Sequence, residues 1–173
     1  MNRPDTDPPG SPLRLLFVCS GNTCRSPLAE VLSRRAASEF GLHSVEIRSA
    51  GTHTDPGLEA SGGAHSAARR HGLSLEGHAS TVLTSELVEW ADWIFAMGPG
   101  HLHRIKALGG EEKAVLLGAF ATGESPDGVG AKGVLLAVPD PFGGDDEVYE
   151  ETYLTLEKYV KLAIKRLVGG VGR

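Results

Sequence analysis

The sequence predicts a single α/β domain, doubly wound, with a four-stranded parallel sheet covered by helices on both faces. Three observations carry this. Short apolar runs at 13–18, 45–49, 92–97 and 113–117 alternate with segments of helical periodicity. The first run passes through a Gly-containing turn directly into an amphipathic segment, the join expected between a buried strand and its crossover helix. At 173 residues, with 40% hydrophobic and 23% charged side chains, the chain is long enough for one packed core and ordinary enough to be globular.

Residues 1–12 are polar and Pro-rich and read as a flexible N-terminal tail; the domain runs over 13–168, and 169–173 form a C-terminal tail. No apolar segment precedes Leu13, so a signal peptide is not expected, and the longest apolar runs are too short to span a bilayer. The first strand is 13–18. Leu28, Val31, Leu32, Ala36 and Phe40 fall on one face of a helix over about 26–40, with Ser26 as its expected N-cap, Pro27 in its first turn and Gly41 at its end. Val45 to Ser49 alternates as the second strand. A Gly/Pro-containing loop follows at 52–60, then an Ala-rich helix over 61–71 stopped by Gly72, then an irregular stretch holding His78. Thr84 caps a short helix through Trp90. The third strand, 92–97, is broken by Gly98-Pro99-Gly100 ahead of a helix over 100–108, and 113–117 is the fourth strand.

Residues 118–138 contain Gly118, Gly123, Gly128, Gly130 and Gly133 and read as a Gly-rich insertion, either a passive loop or a segment overhanging a pocket. Val134 to Val138 reads as a short strand leading out of it. The last helix is 145–168: acidic side chains cluster at its start and Lys158, Lys161, Lys165 and Arg166 near its end, both matched to the helix dipole. Tyr149, Leu156, Val160, Ala163, Ile164 and Leu167 mark its buried face.

The turn after the first strand carries the chemistry. It reads Cys19-Ser20-Gly21-Asn22-Thr23-Cys24-Arg25-Ser26-Pro27. A short loop ahead of a helix N-terminus gathers backbone N–H groups into a nest for an anion, and Gly21 is expected to allow the tight backbone. Arg25 can fork onto two oxygens of a tetrahedral oxyanion. Cys19, at the strand end, falls at the floor of this cup, where amides, helix dipole and guanidinium all favour the thiolate, the nucleophilic form. The stretch is therefore a candidate phosphate-binding loop. A phosphoryl transfer to sulfur also needs an acid for the departing atom, and Asp140, held between Pro139 and Pro141, is the candidate.

This stretch resembles the signature of the low-molecular-weight protein-tyrosine-phosphatase family. The resemblance continues at Arg48-Ser49-Ala50-Gly51-Thr52, at His78, at Ala91 to Met97 and at Pro139 to Gly144, covering most of 13–168 in the expected order. It implies a protein phosphatase. Cys19 attacks phosphorus in line, Asp140 protonates the leaving atom, and a phosphocysteine forms; Asp140 then activates water as a base and phosphate is released. Arg25 and the loop Ser20, Gly21, Asn22, Thr23, Cys24 and Ser26 hold the equatorial oxygens, and Ser26 hydrogen-bonds the Cys19 sulfur. Ser49 and His78 support the loop, Ser49 through Asn22. The mechanism calls for no metal and no cofactor.

Substrate choice falls to Thr23 and Phe142. The family often has a larger β-branched aliphatic residue where this chain has Thr23. A Thr there, with a Phe-Gly-Gly acid loop, resembles the bacterial protein-arginine-phosphatase branch, whose substrate presents a guanidinium near phosphorus that a hydroxyl can meet and an alkyl group cannot. The other reading is a phosphotyrosine phosphatase in which Thr23 is a tolerated variant and Phe142 lines the cleft against an aromatic ring. Cys24 also offers a redox role, condensing with an oxidised Cys19.

Three rivals use the same loop. An arsenate reductase of this fold relays electrons through cysteines farther along, and none follows Cys24; only a version served by a small thiol in solution remains. A non-hydrolytic phosphocysteine carrier has no use for Asp140. An inactive phosphoprotein-binding module has no use for an intact Cys19, Arg25 and Asp140. The expected partners are phosphorylated proteins, with inorganic phosphate as product. A net charge of −5 without a dense basic block argues against nucleic acid, the lack of an apolar span against membrane, and two cysteines in all favour a reducing, cytoplasmic setting.

Overall fold

The computed structural model describes residues 10–124 and 136–170. Most of the expected N-terminal tail, the middle of the Gly-rich stretch and residues 171–173 lie outside the described residues. Ten elements follow in order: β1 (Leu13–Cys19), α1 (Arg25–Glu39), β2 (Val45–Gly51), α2 (Gly62–Arg70), α3 (Ser85–Trp90), β3 (Trp93–Ala96), α4 (Pro99–Ala107), β4 (Ala114–Leu116), α5 (Leu117–Thr122) and α6 (Asp146–Val168).

The four strands form one parallel sheet in the order β2-β1-β3-β4. β1 is therefore central, and its side chains alternate between two cores. Leu15, Phe17 and Cys19 face a layer built with α1, α2, α5 and α6; Leu16 and Val18 face one built with α3 and α4. Burial on both faces explains why β1 is apolar throughout apart from Arg14. Because the chain leaves β1 toward β2 and later returns on the other side as β3, the winding reverses at the C-terminal end of β1, where this topology opens a crevice. Cys19 is the residue placed there.

The expected helices and strands are present, with three corrections. The stretch taken as the start of a Gly-rich loop is helical as α5. Its Phe120 ring packs against Trp93 and Phe95, at centroid distances of 4.8 and 5.2 Å, and Leu117 and Ala119 are fully buried. Residues 136–138 do not join the sheet as a strand; a bond from Val138 N–H to the Met97 carbonyl, 2.8 Å, ties them to the end of β3. Ser26 is not the N-cap of α1. The helix begins at Arg25 with Cys24 at the cap and no side-chain cap bond, because the Ser26 hydroxyl is engaged at Cys19. The expected Thr84 cap on α3 is observed, and the structure adds Ser61 on α2 and Asp145 on α6; each accepts from N–H groups of the first turn. Tyr149 and Tyr153 are both buried. Among the described residues, no helix is long and apolar enough to cross a membrane.

Candidate active site

The β1–α1 turn closes into a cup held from beneath by buried polar side chains. Asn22 is its keystone. It is fully buried and has φ +51°, the left-handed region that Asn tolerates better than most residues. The sharp turn expected of Gly21 thus falls on Asn22, one residue on. Asn22 Nδ2 donates to Ser26 Oγ at 2.8 Å and to Ser49 Oγ at 2.9 Å, its Oδ1 accepts from Thr81 N–H at 2.8 Å, and its carbonyl accepts from His78 Nε2 at 2.7 Å. Ser49 donates on to Glu30 Oε2 at 2.6 Å. Gly51, at the end of β2, permits the close approach: a Cβ there would lie 2.6 Å from the Ser20 carbonyl oxygen.

Cys19 Sγ lies 3.0 Å from Ser26 Oγ, and the thiol is 2% exposed. Ser26 Oγ already accepts from Asn22, so its own hydrogen points either to sulfur or to the Ala50 carbonyl, which is farther away at 3.5 Å. The arrangement favours O–H···S and a sulfur stabilised as an anion or leaving group. The backbone N–H groups of Ser20 to Cys24 donate to no acceptor among the described residues. Five amides in one short loop are thus available to an anion ahead of the α1 N-terminus.

Arg25 is buried in the first turn of α1. Its Nη1 donates to the Val138 carbonyl at 3.1 Å, its Nη2 stands 3.0 Å from Asp140 Oδ2, and its Nε has no partner among the described residues. The Pro139-Asp140-Pro141 segment is therefore carried to the cup from 121 positions beyond Cys19. The Asp140 carboxylate is half exposed, and its Oδ1 accepts from Phe142 N–H at 3.2 Å, which pins this segment in a local turn. A cavity of about 240 Å³ lies between these groups, lined by Cys19, Ser20, Gly21, Thr23, Cys24, Arg25, His53, Asp140 and Phe142. Thr23 is part of its wall, and Phe142, 77% exposed, stands at its rim.

Several neighbours were not singled out by sequence reasoning. His53 enters the cavity wall two residues past β2. His101, in the first turn of α4, lies with Nε2 2.8 Å from Ser20 Oγ. Burial, and then the Arg25 charge, press its pKa down to about 4 against an opposite pull from Asp140, so the ring is neutral near pH 7. Tyr149, expected only as part of the buried face of α6, also supports the cup: its hydroxyl lies 3.5 Å from Cys24 Sγ and 3.2 Å from Ser61 Oγ, and burial and the Cys24 bond raise its pKa. Only a glycine fits at 63, where a Cβ would fall 2.3 Å from the Tyr149 ring. The signal for both histidines was topological, since residues just beyond the C-terminal ends of β2 and β3 border the crevice. Among the described residues, no group of three or more His, Cys, Asp or Glu is placed to hold a metal ion.

A buried cysteine on the floor of an amide-lined loop, an arginine beside it and a carboxyl brought over the same cavity define a cysteine-dependent phosphatase on a doubly wound sheet. Residues 14–169 match the family model described as low molecular weight phosphotyrosine protein phosphatase. The chain is 37% identical over 155 residues to a protein-arginine-phosphatase of Bacillus subtilis, covering 88% of this chain and 95% of that one. It is 34% identical, over 88% of this chain and 93% of the other, to the low molecular weight protein-tyrosine-phosphatase Etp of Escherichia coli K12. Its fold superposes on that of the arginine phosphatase YwlE, solved as a mutant with a phosphorylated active-site serine, with a TM-score of 0.78 at 35% identity, covering 90% and 95% of the two chains. The chain belongs to the low molecular weight protein-tyrosine-phosphatase family.

Proposed function

We propose that this phosphatase hydrolyses phosphorylated protein side chains through a phosphocysteine at Cys19, and that phosphoarginine is its preferred substrate. The observation that carries the reaction is the convergence of Cys19, Arg25 and Asp140 on one cavity. The phosphoryl oxygens lie against the loop amides and the Arg25 fork. Cys19 attacks phosphorus opposite the leaving atom, which takes its proton from Asp140. Asp140, now a carboxylate, draws a proton from water as that water attacks the phosphocysteine, returning the sulfur as a thiolate stabilised by Ser26. Stabilisation of the equatorial oxygens is mainly electrostatic, and no step calls for a metal or cofactor. Asn22, Ser49 and His78 keep the loop in shape and take no proton.

What supports the arginine reading is Thr23, a hydroxyl-bearing residue that lines the cavity, together with the name of the Bacillus relative. Thr23 Oγ1 can accept from a guanidinium N–H beside phosphorus. The tyrosine reading has one observation of its own, the Phe142 ring standing free at the rim where an aromatic leaving group would stack. The test compares phosphoarginine and phosphotyrosine peptides on wild type and Thr23→Ile. Wild type is expected to favour phosphoarginine, and the substitution to shift the ratio of kcat/KM toward phosphotyrosine by about tenfold, the scale of one hydrogen bond to a charged group. An unchanged ratio removes Thr23 from the argument.

The partners that follow are phosphorylated proteins and inorganic phosphate, with neither nucleic acid nor membrane. Two free cysteines, one of them the nucleophile, suit a reducing compartment, and the cytoplasm is the proposed setting.

A further inference from the structure

Ser20 lines the cavity, yet no step of the proposed mechanism uses its hydroxyl. Its partner is His101, 2.8 Å away through Nε2. His101 is 9% exposed, its Nδ1 is buried without a hydrogen-bond partner among the described residues, and its ring packs beside Gly98. Burial and the nearby guanidinium keep this ring neutral, so it carries a single N–H. Placing that hydrogen on Nδ1 strands a buried donor. Placing it on Nε2 satisfies the donor at Ser20 Oγ and leaves only a lone pair unpaired, the cheaper outcome. Once Ser20 Oγ accepts from His101, its own O–H can no longer point at the ring. Ser20 lines the cavity and its hydroxyl has no other partner among the described residues, so the O–H is left to an acceptor that enters the cavity.

We propose that the Ser20 hydroxyl is a further hydrogen-bond donor to the bound phosphoryl group, and that His101 is a positioning residue that fixes its direction by donating from Nε2. This rests on the reading of the cavity as a phosphoryl site. A hydroxyl rotor left to itself spends part of its time pointing elsewhere; one held by a buried imidazole is oriented before the oxyanion arrives. The bond it makes is charge-assisted and adds to the amides and Arg25.

The experiment measures competitive inhibition by inorganic phosphate, and kcat/KM for an aryl phosphate, in wild type, Ser20→Ala, His101→Leu, His101→Gln and the Ser20→Ala/His101→Leu pair. Ser20→Ala is expected to weaken phosphate binding about tenfold. His101→Leu should weaken it several-fold alone and by nothing further in the Ser20→Ala background. His101→Gln, whose amide nitrogen reaches the place of Nε2, should restore most of the loss. Nitrogen-15 NMR of the wild-type ring should show Nε2 protonated at pH 7. Phosphate binding by Ser20→Ala within twofold of wild type overturns the proposal, as does an Nδ1-protonated ring, or a His101→Leu loss that is the same with and without the Ser20 hydroxyl. If wild type binds phosphate with this dependence on Ser20 but hydrolyses no phosphorylated side chain, the reaction assignment fails and this inference stands; if it turns over and Ser20→Ala is indifferent, the reverse holds.

Discussion

The two halves of the site are built in opposite ways. In the loop from Cys19 to Ser26, the residues that set the shape are buried: Asn22 alone makes four bonds, to Ser26, Ser49, Thr81 and His78, partners drawn from three separate stretches of the chain. The acid loop is half in solvent. Asp140 is held by one turn bond and by Arg25, and Phe142 beside it is mostly exposed. The contrast follows what each half meets. A phosphoryl group always presents the same oxygens, so its cup gains from a fixed geometry. Leaving groups differ in size and in the proton they need, which suits the proposed acid to a loop whose neighbours are few.

The first way to break this contrast is to remove the acid while leaving the cup untouched. Asp140→Asn should lower kcat about 10²- to 10³-fold for a poor leaving group and far less for p-nitrophenyl phosphate, whose departing oxygen needs little help. Phosphate inhibition should stay within a few-fold. Steady-state kinetics across a series of leaving groups reads this directly, and an equal loss for good and poor ones removes Asp140 as the acid. A smaller effect is expected from loosening the cup. Asn22→Gly keeps a backbone that accepts positive φ and deletes the side-chain bonds; Asn22→Ala loses both. Chemical denaturation should show the alanine variant about 2–4 kcal/mol less stable and the glycine variant less affected, with kcat/KM down about tenfold or more in each. Wild-type kinetics in Asn22→Gly would mean that the backbone turn alone holds the loop.

Much of this was legible in the chain. The first strand, the loop and the helix after it share one short stretch, and the local signals agree: an apolar run, a Cys-x5-Arg spacing, then helical periodicity. The strands were visible because the first, third and fourth are apolar and largely buried, while β2 alternates between buried and exposed side chains. α5 was not, because Leu117 to Thr122 is only six residues long, holds Gly118 and runs into the glycines from 123 on; its helix is held by the packing of Phe120 against Trp93 and Phe95. Ser26 looked like a cap because Ser before Pro often is one, whereas its hydroxyl is spent on a sulfur seven residues away in sequence. His101 carries no local mark at all. Its place depends on the end of β3 lying beside the end of β1, a property of strand order.

The central claim is that Cys19 carries the phosphoryl group between two displacements. The direct measurement is peptide mass spectrometry of enzyme quenched in acid during turnover of a good leaving-group substrate, with Asp140→Ala used to slow the water step. One phosphoryl group is expected on the peptide containing Cys19, absent in Cys19→Ala under the same quench and lost on standing with water. Turnover with no phosphoryl group on that peptide, or with it on another residue, would contradict it.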